Sequence, residues 1–406
     1  MGRRGTGPRP SIRSSSERVE ELGRPAGGFR TVTAAVRAKG AGKTNIDRFL
    51  AVLKWGLLGL IAVGLIAFFA QQIAPSNPFA VWAHGEDGAT RLTGAQYRDL
   101  VVAGLSQGAM YGLIALGYSM VYGVLGFINF AHGEVFMLGA FTGFIVSTKM
   151  DDNGWWEGGA FIPALLFTVV VCTIVSTVAA VVMERVAYRP LRNSPRLIPL
   201  ITSIGVSFVI QNAVILLFGP GAKGYPSNPD WLEERIPFLN IEVKRLLVII
   251  VAAVSMAGLW YFVERTRTGK AMRAVAEDKE IASLMGINVN KTIVTTFAVG
   301  GAMAGIAGIL WGILFRSVIA TTGFLPGIKA FTAAVVGGVG NLAGAMAGGV
   351  SLGGAEALGP LMILEPLGVE GVSQLRDAVA FTLLILVLLV KPTGLFGERL
   401  SSEDRA

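Results

Sequence analysis

Histidine, cysteine and charge are all scarce in this chain of 406 residues. It has two histidines and one cysteine, and only 15% of its residues are charged. A lone cysteine builds neither a disulfide framework nor a cysteine-based metal site. Cys172 also falls inside the apolar run 161–183, which argues against redox chemistry. The histidines, His84 and His132, are far apart and no H-E-x-x-H occurs, so a metal hydrolase or intramembrane protease has no centre to work from. Soluble domains carry about a quarter of their residues as charges. This chain is instead 52% hydrophobic with a mean hydropathy of +0.60, which places it in a lipid bilayer.

A nucleotide site is missing too. The stretch GAGKT at 40–44 ends like a phosphate-binding loop, but Arg37 stands where that motif requires its first glycine. The expectation is that the chain binds no nucleotide, metal or other cofactor itself. What charge there is sits at the start. Residues 1–48 hold 11 Lys and Arg against 4 Asp and Glu, a net of +7 that leaves +1 for the rest of the chain. This tail, rich in Arg, Ser, Gly and Pro, reads as a disordered segment attracted to anionic headgroups rather than to nucleic acid.

At about 20 apolar residues per crossing, the runs are 49–70, 100–124, 127–148, 161–183, 198–218, 245–263, 292–315, a Gly-rich region 328–363, and 376–391. The first is too long and too far from the start to be a cleaved signal peptide. Lys and Arg mark the loops 184–197 and 264–291 as cytoplasmic, whereas DDNGWWEGG at 151–159 has none and faces outward with 219–242. Region 328–363 must then begin and end on the outer side, as two crossings or a re-entrant pair. The fold class expected is an all-α polytopic integral membrane protein with nine to ten transmembrane helices, some broken or re-entrant. Gly340, Gly344 and Gly348, at i+4 spacing, suit close helix packing. Gly-punctuated regions at 104–143 and 323–354 form a coarse symmetry of the kind that marks broken helices along a substrate path.

The loop 265–291 is patterned. Met272, Val275 and Ala276 form one apolar stripe, and Ile281, Leu284 and Met285 another, about half a turn round. Such an element, one helix or two short ones bent near EDKE at 277–280, presses one face on the membrane domain and the other on a partner.

The run Glu280-Ile281-Ala282-Ser283-Leu284-Met285-Gly286 fits the E-A-A-x-x-x-G loop of ABC importer permeases, with Ile281 for the first alanine and without the downstream I-x-L-P. Together with INFAHGE at 128–134, ERVAYRPLRNSPRLIPLITSIGVSFVIQN at 184–212 and AVVGGVGNLAGAMAGG at 334–349, it makes the chain resemble the membrane permease of the high-affinity branched-chain amino acid ABC importer family. The resemblance covers about 98–397. It implies a complex with a second permease, two ATPase subunits that use the ATP, and an extracytoplasmic substrate-binding protein, in the cell (inner) membrane with both termini cytoplasmic. A urea or short-amide importer would be built alike. A secondary transporter or channel has no need of an ATPase-docking loop, and a proton carrier carries more acidic residues in its spans.

The expected organisation is a tail at 1–48, an extra transmembrane helix at 49–73, an extracytoplasmic segment at 74–97, the permease domain at 98–397 with its coupling loop at 264–291, and a cytoplasmic tail at 398–406. No catalytic residue is expected. The resemblance assigns ATPase coupling to Ala276, Glu277, Asp278, Glu280, Ala282 and Gly286. Asn129, His132 and Glu134 are candidates for the pathway or its gate, with Thr202 and Ser203. They fit a structural reading as well, in which Asn129 caps the third span, the other two satisfy neighbouring groups, and the hydroxyls bond back to their own helix. The loop assignments put this polar knot at the cytoplasmic turn between the second and third spans; the other arrangement is an unwound segment dipping inward.

Overall fold

The computed structural model describes residues 45–74, 93–192, 194–195, 197–237, 240–369 and 371–397. His84, GAGKT and the tail from Glu398 lie outside the described residues. Residues up to Trp55 form one unit, and residues from Gly56 onward form a second that holds the membrane body.

The helices are α1 (Asn45–Ile73), α2 (Gly94–Leu125), α3 (His132–Asp152), α4 (Phe161–Met183), α5 (Leu197–Phe218), the short α6 (Asp230–Glu233), α7 (Val243–Arg265), α8 (Arg267–Glu277), α9 (Lys279–Leu284), α10 (Val289–Phe315), α11 (Phe324–Gly337), α12 (Leu342–Gly359) and α13 (Arg376–Val390). Apolar runs in lipid take this form because a helix satisfies its own backbone groups. Among the described residues, paired strand is confined to β1 (Lys223–Gly224) against β2 (Ser317–Val318), antiparallel, and a single bridge between Arg235 and Glu242.

Among the described residues, eight helical stretches are long and apolar enough to cross a membrane. α3 is not among them, because its 21 residues include Glu134, Lys149, Asp151 and Asp152, yet half of it is buried by its neighbours. α11, at 14 residues, reaches only about 21 Å, short of a bilayer core of about 30 Å. The nine to ten spans expected thus resolve into eight, one interior helix and one half-length helix.

Two boundaries differ from the sequence expectation. α1 takes in residues 45–48 from the supposed tail, and α2 starts at Gly94, before the expected 98. The second has a visible cause: Thr93 accepts from the Gln96 N–H while Gln96 Oε1 accepts from the Thr93 N–H, a reciprocal cap that starts the helix early.

Loops expected to share a side do so. Trp156 meets Phe161 at 5.0 Å and Phe161 meets Trp231 at 5.7 Å, while Arg235 pairs with Asp99 at 3.0 Å. These contacts gather 151–160, 219–242 and the start of α2 at one end. At the other end of α4, Arg192 holds both Glu184 and Asn290.

α2 is the central helix, and glycine lets its neighbours come close. A Cβ on Gly349 would lie 2.5 Å from Gly112 Cα, and one on Gly108 would lie 2.7 Å from the Gly349 carbonyl oxygen, so α2 and α12 touch backbone to backbone. Gly344 and Gly348 close α12 onto α11 through Gly337 and Ala333. Gly340, expected on the same stripe, sits instead in the turn between these helices with φ +90°. On the opposite flank Cys172 is fully buried, with Gly305 against its carbonyl and Gly143 beside its sulfur.

Candidate functional site

The polar knot does not lie at a turn outside the bilayer. α2 ends at Leu125, where Gly126 adopts φ +76° and returns its N–H to the Tyr122 carbonyl. The chain then folds back into the protein. The His132 ring fills the space beside Gly117 and approaches Gly300. Gly117 is eight residues before the end of α2 and Gly300 eleven after the start of α10, so α3 begins about 12–16 Å inside those helix ends. Residues 126–131 are therefore the inward-dipping, unwound arrangement.

A second break approaches from the other end. α10 passes Gly139 of α3 at Gly305 and runs ten residues, about 15 Å, further before ending at Phe315. Residues 316–323 then return through that depth, and α11 starts against the first turn of α3. A Cβ on Gly133 would lie 3.0 Å from Gly327 Cα, and one on Gly323 would lie 2.7 Å from Glu134 Oε2. Two helix N-termini, reached from opposite ends, meet at three glycines and one carboxylate.

Non-helical backbone at this depth must find partners within the protein. The Ala131 N–H donates to Asn129 Oδ1 (3.1 Å), the Tyr188 hydroxyl donates to the same oxygen (2.6 Å), and the Phe130 N–H donates to Ser203 Oγ (3.3 Å). Asn129 is thus not the cap of α3, whose N-cap is Ala131; it stiffens the break and ties it to Tyr188. Glu134 Oε1 accepts from Gln211 (2.6 Å) and Ser207 (3.1 Å). Ser203, Ser207 and Gln211 lie four residues apart on α5, and together with Pro199 and Val214 they are its only buried residues. This polar stripe holds α5 to the body together with Val214 and the partly buried Val206, Ile210, Ile215 and Phe218.

Three atoms of the knot, Asn129 Nδ2, His132 Nε2 and Glu134 Oε2, are buried without a hydrogen-bond partner among the described residues. Their residues are 2%, 2% and 1% exposed. A charge at bilayer depth costs about 2.5–3.5 kcal/mol on insertion scales, so an incompletely satisfied carboxylate there calls for a role. Thr202 does not join the knot; its hydroxyl donates to the Ile198 carbonyl at 2.9 Å, one turn back on α5.

One cluster went unread in the sequence. Lys329 of α11 lies 2.9 Å from Glu356 Oε1 of α12 and 2.6 Å from Asp377 of α13, and Tyr111 of α2 donates to Glu356 Oε2 at 3.1 Å. Its signal was a lone lysine in an apolar, Gly-rich stretch.

The patterned loop forms the two short helices α8 and α9, bent at Asp278, whose Oδ1 accepts from the Glu280 (2.7 Å) and Ile281 (2.9 Å) N–H groups. Met272 and Val275 are buried, while Ile281, Leu284 and Met285 are 59%, 87% and 78% exposed. The two stripes therefore do face different ways. Ala276, expected with the buried stripe, is exposed, as are Glu277 and Glu280. Ala282 is buried against its own chain, because it sits on the inner side of α9, where its carbonyl accepts from the Ile287 N–H. Gly286 closes α9 with φ +82°, a conformation that favours glycine.

Residues 100–388 match the family described as branched-chain amino acid transport system / permease component. Among characterised proteins, the chain is 44% identical over 307 residues to the high-affinity branched-chain amino acid transport system permease protein BraD of Pseudomonas aeruginosa, covering 74% of this chain and 96% of that one. It is 42% identical to the corresponding LivH protein of Escherichia coli (73% and 94% covered) and 26% identical to a probable branched-chain amino acid transport permease of Methanocaldococcus jannaschii (70% and 88%). α1 and the residues before it precede the matched region. With the exposed elbow of α8 and α9, the broken helices and this match over residues 100–388, the chain belongs to the branched-chain amino acid transport permease family.

Proposed function

We propose that this chain is the permease of an importer that moves leucine, isoleucine and valine inward, driven by ATP hydrolysed on separate subunits. The match over residues 100–388 carries the reading. In this assembly a second permease completes the membrane pore, two ATPase subunits sit in the cytoplasm, and an extracytoplasmic binding protein delivers the amino acid. The chain sits in the cell (inner) membrane with the loops 184–197 and 264–291, and both termini, on the cytoplasmic side.

The exposed apolar elbow supports the coupling assignment. Water does not favour three large apolar side chains on so short an elbow, and an ATPase cleft would cover Ile281, Leu284 and Met285. Ala276, Glu277 and Glu280 border that surface, while Asp278 and Gly286 fix the bend that presents it. Ala282 positions α9 from behind and does not touch the partner.

The complex reconstituted in liposomes tests this. Leucine should enter only when ATP and the binding protein are both present, and a cysteine at Ser283 should crosslink to an ATPase subunit while transport proceeds. Equal uptake without ATP would indicate a secondary carrier, and failure to crosslink in an active complex would remove the coupling role from this elbow.

A further inference from the structure

Glu134 is the group that the fold does not explain. Ser207 and Gln211 both donate to Oε1, which a glutamine at 134 would accept equally well, so nothing in the packing of α5 requires a carboxylate. Among the described residues no lysine or arginine pairs with it, and the nearest candidate by element, Lys329 on α11, is engaged by Glu356 and Asp377. Its second oxygen, Oε2, lies against Gly323 with no donor among the described residues.

Glu134 is in the first turn of α3, and the start of α11 abuts it at Gly323, so two helix N-termini turn their positive ends towards one carboxylate. Amide dipoles of this kind stabilise an anion without occupying it as an ammonium or guanidinium would. The outcome is a membrane-embedded carboxylate held on one oxygen, flanked by two unwound segments, and buried without a donor on the other. A buried carboxylate with no cation beside it is left uncompensated, and a small organic cation can answer it.

Resting on the importer reading above, we infer that Glu134 Oε2 receives the α-ammonium group of the amino acid in transit, with α5 as the element that must shift to admit it. The ammonium brings the donor that Oε2 lacks, and its charge replaces the missing counterion. A neutral amide or urea could donate an N–H to Oε2 but would bring no charge, so the same residue favours a zwitterionic substrate over an uncharged one. α5 is suited to moving, because only five of its residues are buried, three of them polar, and half of the helix is exposed.

The test uses the full complex in liposomes, with leucine as the probe and Glu134→Gln as the variant. Glutamine preserves the acceptor for Ser207 and Gln211 but removes the charge. Leucine imported per ATP hydrolysed should fall at least tenfold, with partner subunits still co-purifying. A ratio within twofold of the unsubstituted complex would overturn the inference and assign the carboxyl a structural, protonated role. Should the glutamine variant fail to assemble or hydrolyse ATP, Glu134→Asp is compared with Glu134→Asn at equal side-chain length. Uptake by the aspartate variant alone supports the site, and equal uptake by both, including none, overturns it. Absence of leucine uptake in the unsubstituted complex would instead refute the importer reading itself.

Discussion

Glu134 and Glu356 are both 1% exposed, both lie in the membrane body, and both have a glutamine as hydrogen-bond partner. They differ in how completely they are answered. Glu356 has the Lys329 ammonium as an ion pair 2.9 Å from one oxygen, without a hydrogen bond to it, and the Tyr111 hydroxyl donating to the other, and Asp377 shares the lysine. Glu134 has both of its donors on Oε1 and none on Oε2 among the described residues. The first is a closed set that fastens α11, α12, α13 and α2 to one another, and the second is an open one. Burial alone does not separate a structural charge from a working one; the completeness of its shell does.

The contrast suffers most from a change at the lysine. Lys329→Met leaves Glu356 buried without its cation, a change that costs about 3–5 kcal/mol when one member of such a pair is removed. Reversible unfolding in micelles should register that loss, and Lys329→Met combined with Glu356→Met should recover most of it. A neutral single variant would show that the pair fastens nothing.

Gly323→Ala acts on the open site. Its Cβ would press on Glu134 Oε2 and on the Gly133 backbone, and overpacking of this kind costs about 1–3 kcal/mol. Gly205→Ala on α5, where nothing lies within 4 Å, should change stability by less than about 0.5 kcal/mol. Equal effects at the two glycines would mean that the two breaks do not meet as described.

The smallest effect belongs to a serine. Ser207→Ala removes one of two donors to Oε1 while Gln211 remains, and hydrogen bonds between membrane helices average about 0.6 kcal/mol. A loss as large as that of Lys329→Met, in the same unfolding measurement, would erase the distinction between the two carboxylates.

Much of this was legible from residue order, and the rest had physical reasons for staying hidden. Apolar runs located the helices because lipid demands them, and Lys and Arg grouped the loops correctly. The break at 126–131 has its sequence signal in Gly126 and Gly133, although the loop assignments put it at a cytoplasmic turn. Its depth was not legible, since depth depends on which helices stand alongside, and only the contacts with Gly117 and Gly300 reveal it. Helical spacing separated the two stripes of the elbow but did not say that Ala282 faces inward, because periodicity orders faces without naming their neighbours. Lys329 escaped for a related reason: a single charge in an apolar stretch gains meaning only when Glu356 and Asp377, far along the chain, are seen beside it.

The enclosure of Cys172 has a practical side. The only thiol in the chain is sealed by Gly143, Gly305 and the helices that carry them, with no surface open to solvent. Alkylating and crosslinking reagents that act from water will leave it untouched while the fold is intact. A cysteine placed at an exposed position is then the one that reacts, and Cys172 itself becomes a reporter that stays silent until the membrane body opens.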